Sequence, residues 1–325
     1  MMVKLFTQLI LASTVLQFFP ADAGELQTRA ALPEAPVRAF DLFAAYEVIS
    51  HRLPESPYRS FAPVKRVTSS MGVVTSAQSA IVVDRASKEV LFEKNINAPR
   101  AIGSITKLMT AYVFLQGNPD LDAPATLTPD DVRYGAELHL AIGETVTVRD
   151  LLEASLVGSD NSSTAALARL SGLPTGDFVA RMNETAAEFG MNATTFDDVT
   201  GLSSKNISVV SDLTLMFDRI LQNEMIAQIT QRPSVTITGS SGRSYFVEST
   251  DELLGTFVDQ PPYNMVGGKT GYLPEAGYTL GSIFSKEGAG DVIVVVLGSE
   301  SKDGRFQDVK SLAVWAYKTF VWSTL

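Results

Sequence analysis

The stretch "GSITKLMT" (103–110) places a serine and a lysine three residues apart, Ser104 and Lys107, at the head of an apolar run. The length and composition of "ITKLMTAYVFLQ" (105–116) predict a buried helix. On a helix, positions i and i+3 share a face about 5–6 Å apart at Cβ, so the hydroxyl and the amine would meet. Taken alone, the stretch is better explained as a plain helix start, with Ser104 as N-cap and Lys107 in solvent.

Two further short motifs follow in chain order. "SDN" (159–161) falls in a turn between two predicted helices, and "KTG" (269–271) falls on a predicted strand. Each is weak alone, and the first is by itself better explained as a helix-capping turn. Together with S-x-x-K, in this order and in these contexts, they form the pattern of penicillin-binding proteins and serine β-lactamases.

Acyl transfer explains why these residue types are needed. It requires a nucleophile, a base and an oxyanion hole. The two histidines, His51 and His139, lie in a Pro-containing segment and a loop, and no G-x-S-x-G occurs, so a Ser-His-Asp triad fits poorly. Lys107 can serve as the base if burial and a nearby cation such as Lys269 lower its pKa from about 10.4. Ser104, at a helix N-terminus, would then be the nucleophile, with backbone N–H groups aimed at the oxyanion.

The other motif residues suit the remaining tasks of such a site. Ser159 can relay a proton to the leaving amine, and Asn161 can hold the substrate amide. Lys269 and Thr270 offer a cation and a hydroxyl to a substrate carboxylate, while Gly271 lets a backbone come close.

The order of periodic segments predicts an α+β fold. We expect an antiparallel five-stranded sheet built from both chain ends, flanked by helices, with an inserted helical lobe over 104–230. A cleft between sheet and lobe is the expected binding site. The predicted strands are 79–84, 89–95, 234–239, 263–272, 277–286 and 291–299, and the predicted helices are 105–116, 148–160, 161–172, 174–190, 211–223 and 306–322.

Composition narrows the possible partners. The 325 residues are 45% hydrophobic, enough for a large core, and carry a net charge of −10 without basic tracts. Nucleic acid and anionic membrane surfaces are therefore poor candidate partners. With no Cys and two His, a protein-ligated zinc site is not expected, and we predict no cofactor. The residue counts alone leave open a site in which carboxylates bind a hard metal ion.

The first 23 residues have the features of a signal peptide. Lys4 precedes an apolar run (5–19), and "ADA" (21–23) fits a cleavage site. The run is shorter than the ~20 residues of a membrane span. We therefore expect export to the periplasm or cell-wall space of a bacterium, with cleavage after Ala23 and no firm membrane anchor afterwards.

The mature chain divides into two predicted parts. Residues 24–76 contain five prolines and are expected to be an N-terminal extension. Its helix-like island (40–53) is either part of a linker that packs on the domain or a partner-binding helix. Residues 77–325 are expected to be the catalytic domain.

From about residue 76 to 322 the chain resembles the low-molecular-mass penicillin-binding proteins, the D-alanyl-D-alanine carboxypeptidase and endopeptidase family. Beyond the three motifs, the segments that carry the likeness are "ASKEVLFEKNINAPRAIGSITKLMTAYV" (86–113), "IGETVTVRDLLEASLVGSDNSSTAALA" (142–168), "FGMNATTFDDVTGLS" (189–203) and "GGKTGYLPEAGYTL" (267–280). The resemblance implies peptidoglycan stem peptides as substrates and β-lactam antibiotics as inhibitors.

The resemblance also implies roles for single residues. These are an acyl-enzyme on Ser104, Lys107 as base, Ser159 as relay, and Asn161, Lys269 and Thr270 as substrate contacts. It further implies an oxyanion hole from the backbone N–H groups of Ser104 and Tyr272. Arg305 matches a family Gly-Arg pair whose Arg can bind the terminal carboxylate, although an Arg in a polar loop is commonly just solvated.

Several alternatives stay open. The chain's end at Leu325, without the β-domain and amphipathic anchor of many members, resembles the single-domain endopeptidase-like branch and implies a soluble enzyme. The second motif is S-D-N, where S-G-N is common in the family, and this makes a class A-like β-lactamase an alternative. Such an enzyme needs a water molecule bound by a glutamate. An E-x-x-x-N does occur, Glu188 to Asn192, but it straddles a predicted helix end, so we interpret Glu188 as a surface residue. A catalytically silent cell-wall binding protein is the third possibility, and carboxypeptidase or endopeptidase preference is undecided.

Overall fold

The computed structural model describes residues 62–135 and 138–323. The strands are β1 (Val64–Lys65), β2 (Ser79–Asp84), β3 (Val90–Lys94), β4 (Arg100–Ala101), β5 (Pro124–Thr126), β6 (Thr145–Thr147), β7 (Ile207–Ser208), β8 (Ser234–Thr238), β9 (Ser244–Glu248), β10 (Tyr263–Leu273), β11 (Gly277–Lys286), β12 (Val292–Ser299) and β13 (Phe320–Val321). The α-helices of this part are α1 (Thr106–Gln116), α2 (Val148–Leu156), α3 (Asn161–Leu170), α4 (Thr175–Glu188), α5 (Val210–Ile220), α6 (Glu224–Thr230) and α7 (Lys302–Thr319).

A five-stranded antiparallel sheet in the order β10-β11-β12-β2-β3 forms the centre of the fold. β2 and β12, from opposite ends of the domain, are direct neighbours, with Val82 opposite Val294. Both strands are buried along their whole length and are apolar except at their ends, as expected for strands covered on both faces. The predicted α+β fold with one sheet built from both chain ends is thereby confirmed.

Alternate residues of these two strands contribute to two separate cores, as the period of two requires. Ile81 and Val295 belong to the core shared with the helical lobe. Val82 and Val294 belong to the core shared with α7. The sheet therefore lies between the inserted lobe and the last helix, and β10 at its edge borders the cleft.

The sequence missed several short elements and the start of α7. α7 begins four residues before the predicted position because Ser301 acts as its N-cap and accepts a hydrogen bond from the Gly304 N–H at 2.9 Å. Gly304 and Arg305 therefore lie in the first turn of the helix and not in a polar loop before it. α6 and β9 are seven and five residues long, and neither shows a clear period.

Part of the predicted N-terminal extension lies against this domain. β1 pairs with β13, and the Trp315 indole N–H donates to Ser70 Oγ at 2.7 Å. The predicted signal peptide, the helix-like island at 40–53 and His51 lie outside the described residues. Among the helices in the described ranges, none is long and apolar enough to cross a membrane.

Candidate active site

The first motif brings its serine and lysine into contact. Ser104 lies in a short 3-10 turn (Gly103–Ile105) directly before α1, and Lys107 lies in the first turn of that helix. Lys107 is fully buried, and its Nζ is 2.9 Å from Ser104 Oγ. Ser104 makes no side-chain cap, so the simple N-cap interpretation with a solvated lysine is wrong.

Two further contacts hold the Lys107 amine. Nζ donates to Asn161 Oδ1 at 2.6 Å and to the Thr200 carbonyl at 2.7 Å. Burial lowers the pKa of Lys107 to about 7, and the charges of Asp160 and Asp198 offset only part of that effect. A neutral Lys107 is therefore well populated near pH 7, and its lone pair can accept the Ser104 proton.

The second motif forms the turn between α2 and α3. Ser159 has a φ of +59°, a left-handed conformation uncommon for a residue with a side chain. Asp160 is the N-cap of α3: Oδ1 accepts from the Ser163 N–H at 2.6 Å and Oδ2 from the His139 N–H at 2.9 Å. Asp160, the middle residue of S-D-N, thus stabilises the turn, and its neighbours Ser159 and Asn161 project into the site.

The third motif lies on β10, across the cleft. Lys269 is 2% exposed and donates to Ser159 Oγ at 2.9 Å and to the Thr270 carbonyl at 3.2 Å. Burial, followed by the charges of Lys107 and Arg305, lowers its pKa well below the usual range. Thr270 Oγ1 is 2.6 Å from Thr250 Oγ1. The structure thus brings all three motifs together.

Close backbone packing positions the two N–H groups expected to form an oxyanion hole. A Cβ on Gly103, whose φ is +57°, would lie 3.0 Å from Tyr272 N. A Cβ on Gly271 would lie 3.0 Å from Ser104 N and 2.7 Å from the Ile102 carbonyl oxygen. These distances are too short for a side chain, so glycine at both positions allows the Ser104 and Tyr272 backbones to approach each other.

Arg305 is not a solvated residue of a polar loop. It lies in the first turn of α7, is 5% exposed, and donates from Nη1 to the Gly271 carbonyl at 3.0 Å. Its guanidinium lies 4.7 Å from the centre of the Phe306 ring and 5.6 Å from that of Tyr278. The cation is therefore held beside the third motif.

Three contributions to the site were not predicted. The Thr200 carbonyl lies in segment 189–203, which carries part of the family likeness but was given no role in the site. Thr250 and Asp251 lie in a loop that has no sequence motif. Asp251 is buried, and burial raises the pKa of its carboxyl to about 6 despite the nearby cations Arg305 and Lys269.

Glu188 stands apart from this cluster. It is exposed on the last turn of α4 and pairs with Arg181 at 3.1 Å. The surface interpretation of Glu188 is confirmed, so it cannot serve as the carboxylate that a class A-like β-lactamase requires.

Comparison with known proteins gives a consistent result. The profile of the D-alanyl-D-alanine carboxypeptidase family matches residues 65–301. A D-alanyl-D-alanine endopeptidase of Haemophilus influenzae is 34% identical over 206 residues, which span 63% of this chain and 69% of the relative.

Two solved structures are similar in fold. The DD-transpeptidase of Streptomyces K15 superposes with a TM-score of 0.71 at 27% identity, over 77% of this chain and all of that one. Penicillin-binding protein D2 of Listeria monocytogenes, solved with ampicillin bound, gives 0.65 at 30% identity, over 76% of this chain and 99% of that one.

Proposed function

The chain belongs to the D-alanyl-D-alanine carboxypeptidase family of serine peptidases, and from this premise we propose that it cleaves D-alanyl-D-alanine peptides of peptidoglycan through an acyl-enzyme on Ser104. One observation carries the proposal. The buried Lys107 amine, with a pKa near 7, lies 2.9 Å from the Ser104 hydroxyl.

Acylation begins with a proton transfer. Neutral Lys107 takes the proton of Ser104 while Oγ attacks the carbonyl carbon of the penultimate D-Ala. The backbone N–H groups of Ser104 and Tyr272 stabilise the negative charge that develops on the carbonyl oxygen. Asn161 contributes an amide to the bound peptide, and its Oδ1 keeps Lys107 in place at 2.6 Å.

Collapse of the tetrahedral intermediate breaks the peptide bond. The departing amine takes the hydroxyl proton of Ser159, and the proton that Lys107 took from Ser104 replaces it. Ser159 is the proposed relay, and its Oγ accepts a hydrogen bond from Lys269 at 2.9 Å. The terminal carboxylate of the leaving D-Ala binds the Lys269 amine, the Arg305 guanidinium and the Thr270 hydroxyl. Water then attacks the ester on Ser104 and releases the shortened stem peptide.

The direct test is release of D-alanine from a synthetic N-acylated tripeptide that ends in D-Ala-D-Ala. We expect wild type to release D-alanine and Ser104→Ala to release none above background. Release by the alanine variant would remove Ser104 from the mechanism. Absence of release by the folded wild type would favour a silent binding protein of this fold.

The role of Arg305 has its own test. We expect Arg305→Ala to lose roughly 1.5–3 kcal/mol of transition-state stabilisation on a substrate with a free terminal carboxylate, and little on the same peptide ended by an amide. Equal losses on both would argue against carboxylate binding. Because a cross-link often lacks that carboxylate, carboxypeptidase activity should suffer more than endopeptidase activity.

The place of action follows from the substrate. Together with the signal-peptide features of residues 1–23, it supports the periplasm or cell-wall space as the location. β-Lactams are proposed to acylate Ser104 and to be released slowly, in agreement with the position of Glu188 on the outer surface of α4.

A further inference from the structure

A cavity of about 610 Å³ opens from the active site. Ser159 and Arg305 line one part of it, and Phe246 and Glu248 of β9 line another. Asn161, although a site residue, is not among the described residues that line it.

The lining indicates which part of a substrate faces the cavity. In the mechanism proposed above, Ser159 donates a proton to the leaving amine and Arg305 binds the terminal carboxylate. Both of these groups belong to the leaving residue. Asn161 serves the acyl part. The cavity therefore continues from the leaving residue, and the single methyl side chain of D-alanine leaves most of it unfilled.

The β8–β9 hairpin that forms the far wall is fixed in position. At its tip, the Glu144 carboxylate accepts from the Ser241 N–H at 3.0 Å, the Ser241 hydroxyl at 2.6 Å and the Tyr245 hydroxyl at 2.8 Å. These bonds lower the pKa of Glu144 to about 2, so it is ionised at neutral pH. At the base, Val247 packs against Gly158, next to the relay serine.

Phe246 and Glu248 give the wall a defined chemistry. They are two residues apart on one strand and so lie on the same face. Phe246 is 67% exposed, although burial is usual for its type. Glu252, also in the lining, is paired with Lys302 at 2.5 Å, whereas Glu248 has no ion pair within the described part of the chain. An apolar ring beside an uncompensated carboxylate suits an alkyl chain followed by an N–H donor.

We propose that this cavity binds the side chain of a leaving D-amino acid longer than D-alanine, with methylenes on Phe246 and an amine or amide N–H on Glu248. The inference rests on the proposed function and extends it to the specificity for the leaving group. A cross-link, in which a second peptide chain continues from the leaving residue, would present such a group.

The test uses one acyl donor ending in D-Ala, followed by D-alanine, D-norleucine or D-lysine as the leaving residue. We expect wild type to prefer D-norleucine over D-alanine in kcat/KM. We expect it to prefer D-lysine over D-norleucine by about tenfold, the lower end of what a hydrogen bond to a charged group contributes. Phe246→Ala should reduce the first preference, and Glu248→Gln should remove the second.

Matched controls come from exposed residues away from the cavity. Phe257→Ala and Glu89→Gln alter exposed residues of the same types that are not in the lining, and both preferences should persist in these variants. Equal kcat/KM values for the three leaving residues in wild type, or parallel losses on all three in the variants, would overturn the subsite. Acylation by penicillin separates the two hypotheses: an acylated enzyme without leaving-group preference refutes only the subsite, whereas no acylation and no cleavage refute both.

Discussion

At the scale of single residues, the site depends on two amines kept away from water. Lys107 and Lys269 are buried on opposite sides of the cleft, and each contacts a motif serine, Ser104 and Ser159 respectively. Desolvation disfavours the charged form of each amine, and the charge of Lys107 further disfavours protonation of Lys269. Lys107, with a pKa of about 7, can therefore exchange a proton near neutral pH, which a solvated lysine cannot.

Replacement of Lys107 by arginine tests its role as base. Arginine keeps the positive charge but cannot release its proton at accessible pH, so acylation by a fluorescent penicillin should slow by about 10²–10⁴-fold. Lys318→Arg, on the exposed face of α7, is the matched control and should acylate like wild type. A near-normal rate in Lys107→Arg would show that the residue acts only through its charge.

The pH dependence of acylation follows from the same pKa. Because burial lowers the pKa of Lys107 to about 7, the neutral base is scarce below that pH and predominant above it. The acylation rate constant should rise through a midpoint near pH 7, measured by stopped flow between pH 5 and 9. A rate that is flat over this range would contradict a titrating base.

At the scale of elements, the structure shows how short segments hold the motifs. The S-D-N turn depends on Asp160, which caps α3 and also binds the loop at His139. The start of α7 depends on Ser301, whose cap places Arg305 in the first turn. The N-termini of α3 and α7 thus position Asn161 and Arg305, respectively.

Asp160 offers a test of this capping. Asp160→Ala should lower the free energy of unfolding by about 1–2 kcal/mol, because the Ser163 N–H and the His139 N–H both lose their acceptor. Asp160→Asn keeps an oxygen acceptor and should recover most of the loss. Urea denaturation measures both variants, and equal stability of wild type and the alanine variant would contradict the capping role.

The long periodic segments were predictable from the sequence, and the elements that close the site were not. The strands at 79–84 and 277–286 were predicted to the residue because unbroken or alternating apolar runs define them. The β8–β9 hairpin was only half recognised, since exposed residues such as Phe246 obscure its pattern. The contact of Thr200 with Lys107 joins positions 93 apart in sequence, and no local signal encodes it.

At the scale of the whole molecule, a sheet built from both chain ends places the third motif across a cleft from the other two. This arrangement buries the ionisable side chains of Lys269, Arg305 and Asp251 close to one another. Asp251 Oδ2, Arg305 Nε and Ser282 Oγ are buried and lack hydrogen-bond partners among the described residues. Stability is therefore expected to depend on pH.

Asp251 sets the direction of that dependence. Burial raises its carboxyl pKa from 3.8 to about 6, so the folded state binds the proton more tightly than the unfolded state. This contribution to stability is complete below about pH 4 and is lost as the pH rises through 6. The shift corresponds to roughly 3 kcal/mol at 1.36 kcal/mol per unit.

Asp251→Asn isolates this contribution. The variant has no proton to lose, so its free energy of unfolding should be less dependent on pH between 4 and 6 than that of wild type, as measured by urea titrations at fixed pH values. Parallel pH profiles for the two proteins would show that Asp251 does not titrate in this range.

Intact-protein mass spectrometry after exposure to penicillin, followed by peptide mapping, shows directly whether Ser104 is the residue that becomes acylated. We predict one adduct with the full mass of the antibiotic, located on Ser104, stable for many minutes, and absent from Ser104→Ala with its fold intact by circular dichroism. An adduct on any other residue, or one that persists in the alanine variant, would contradict the account.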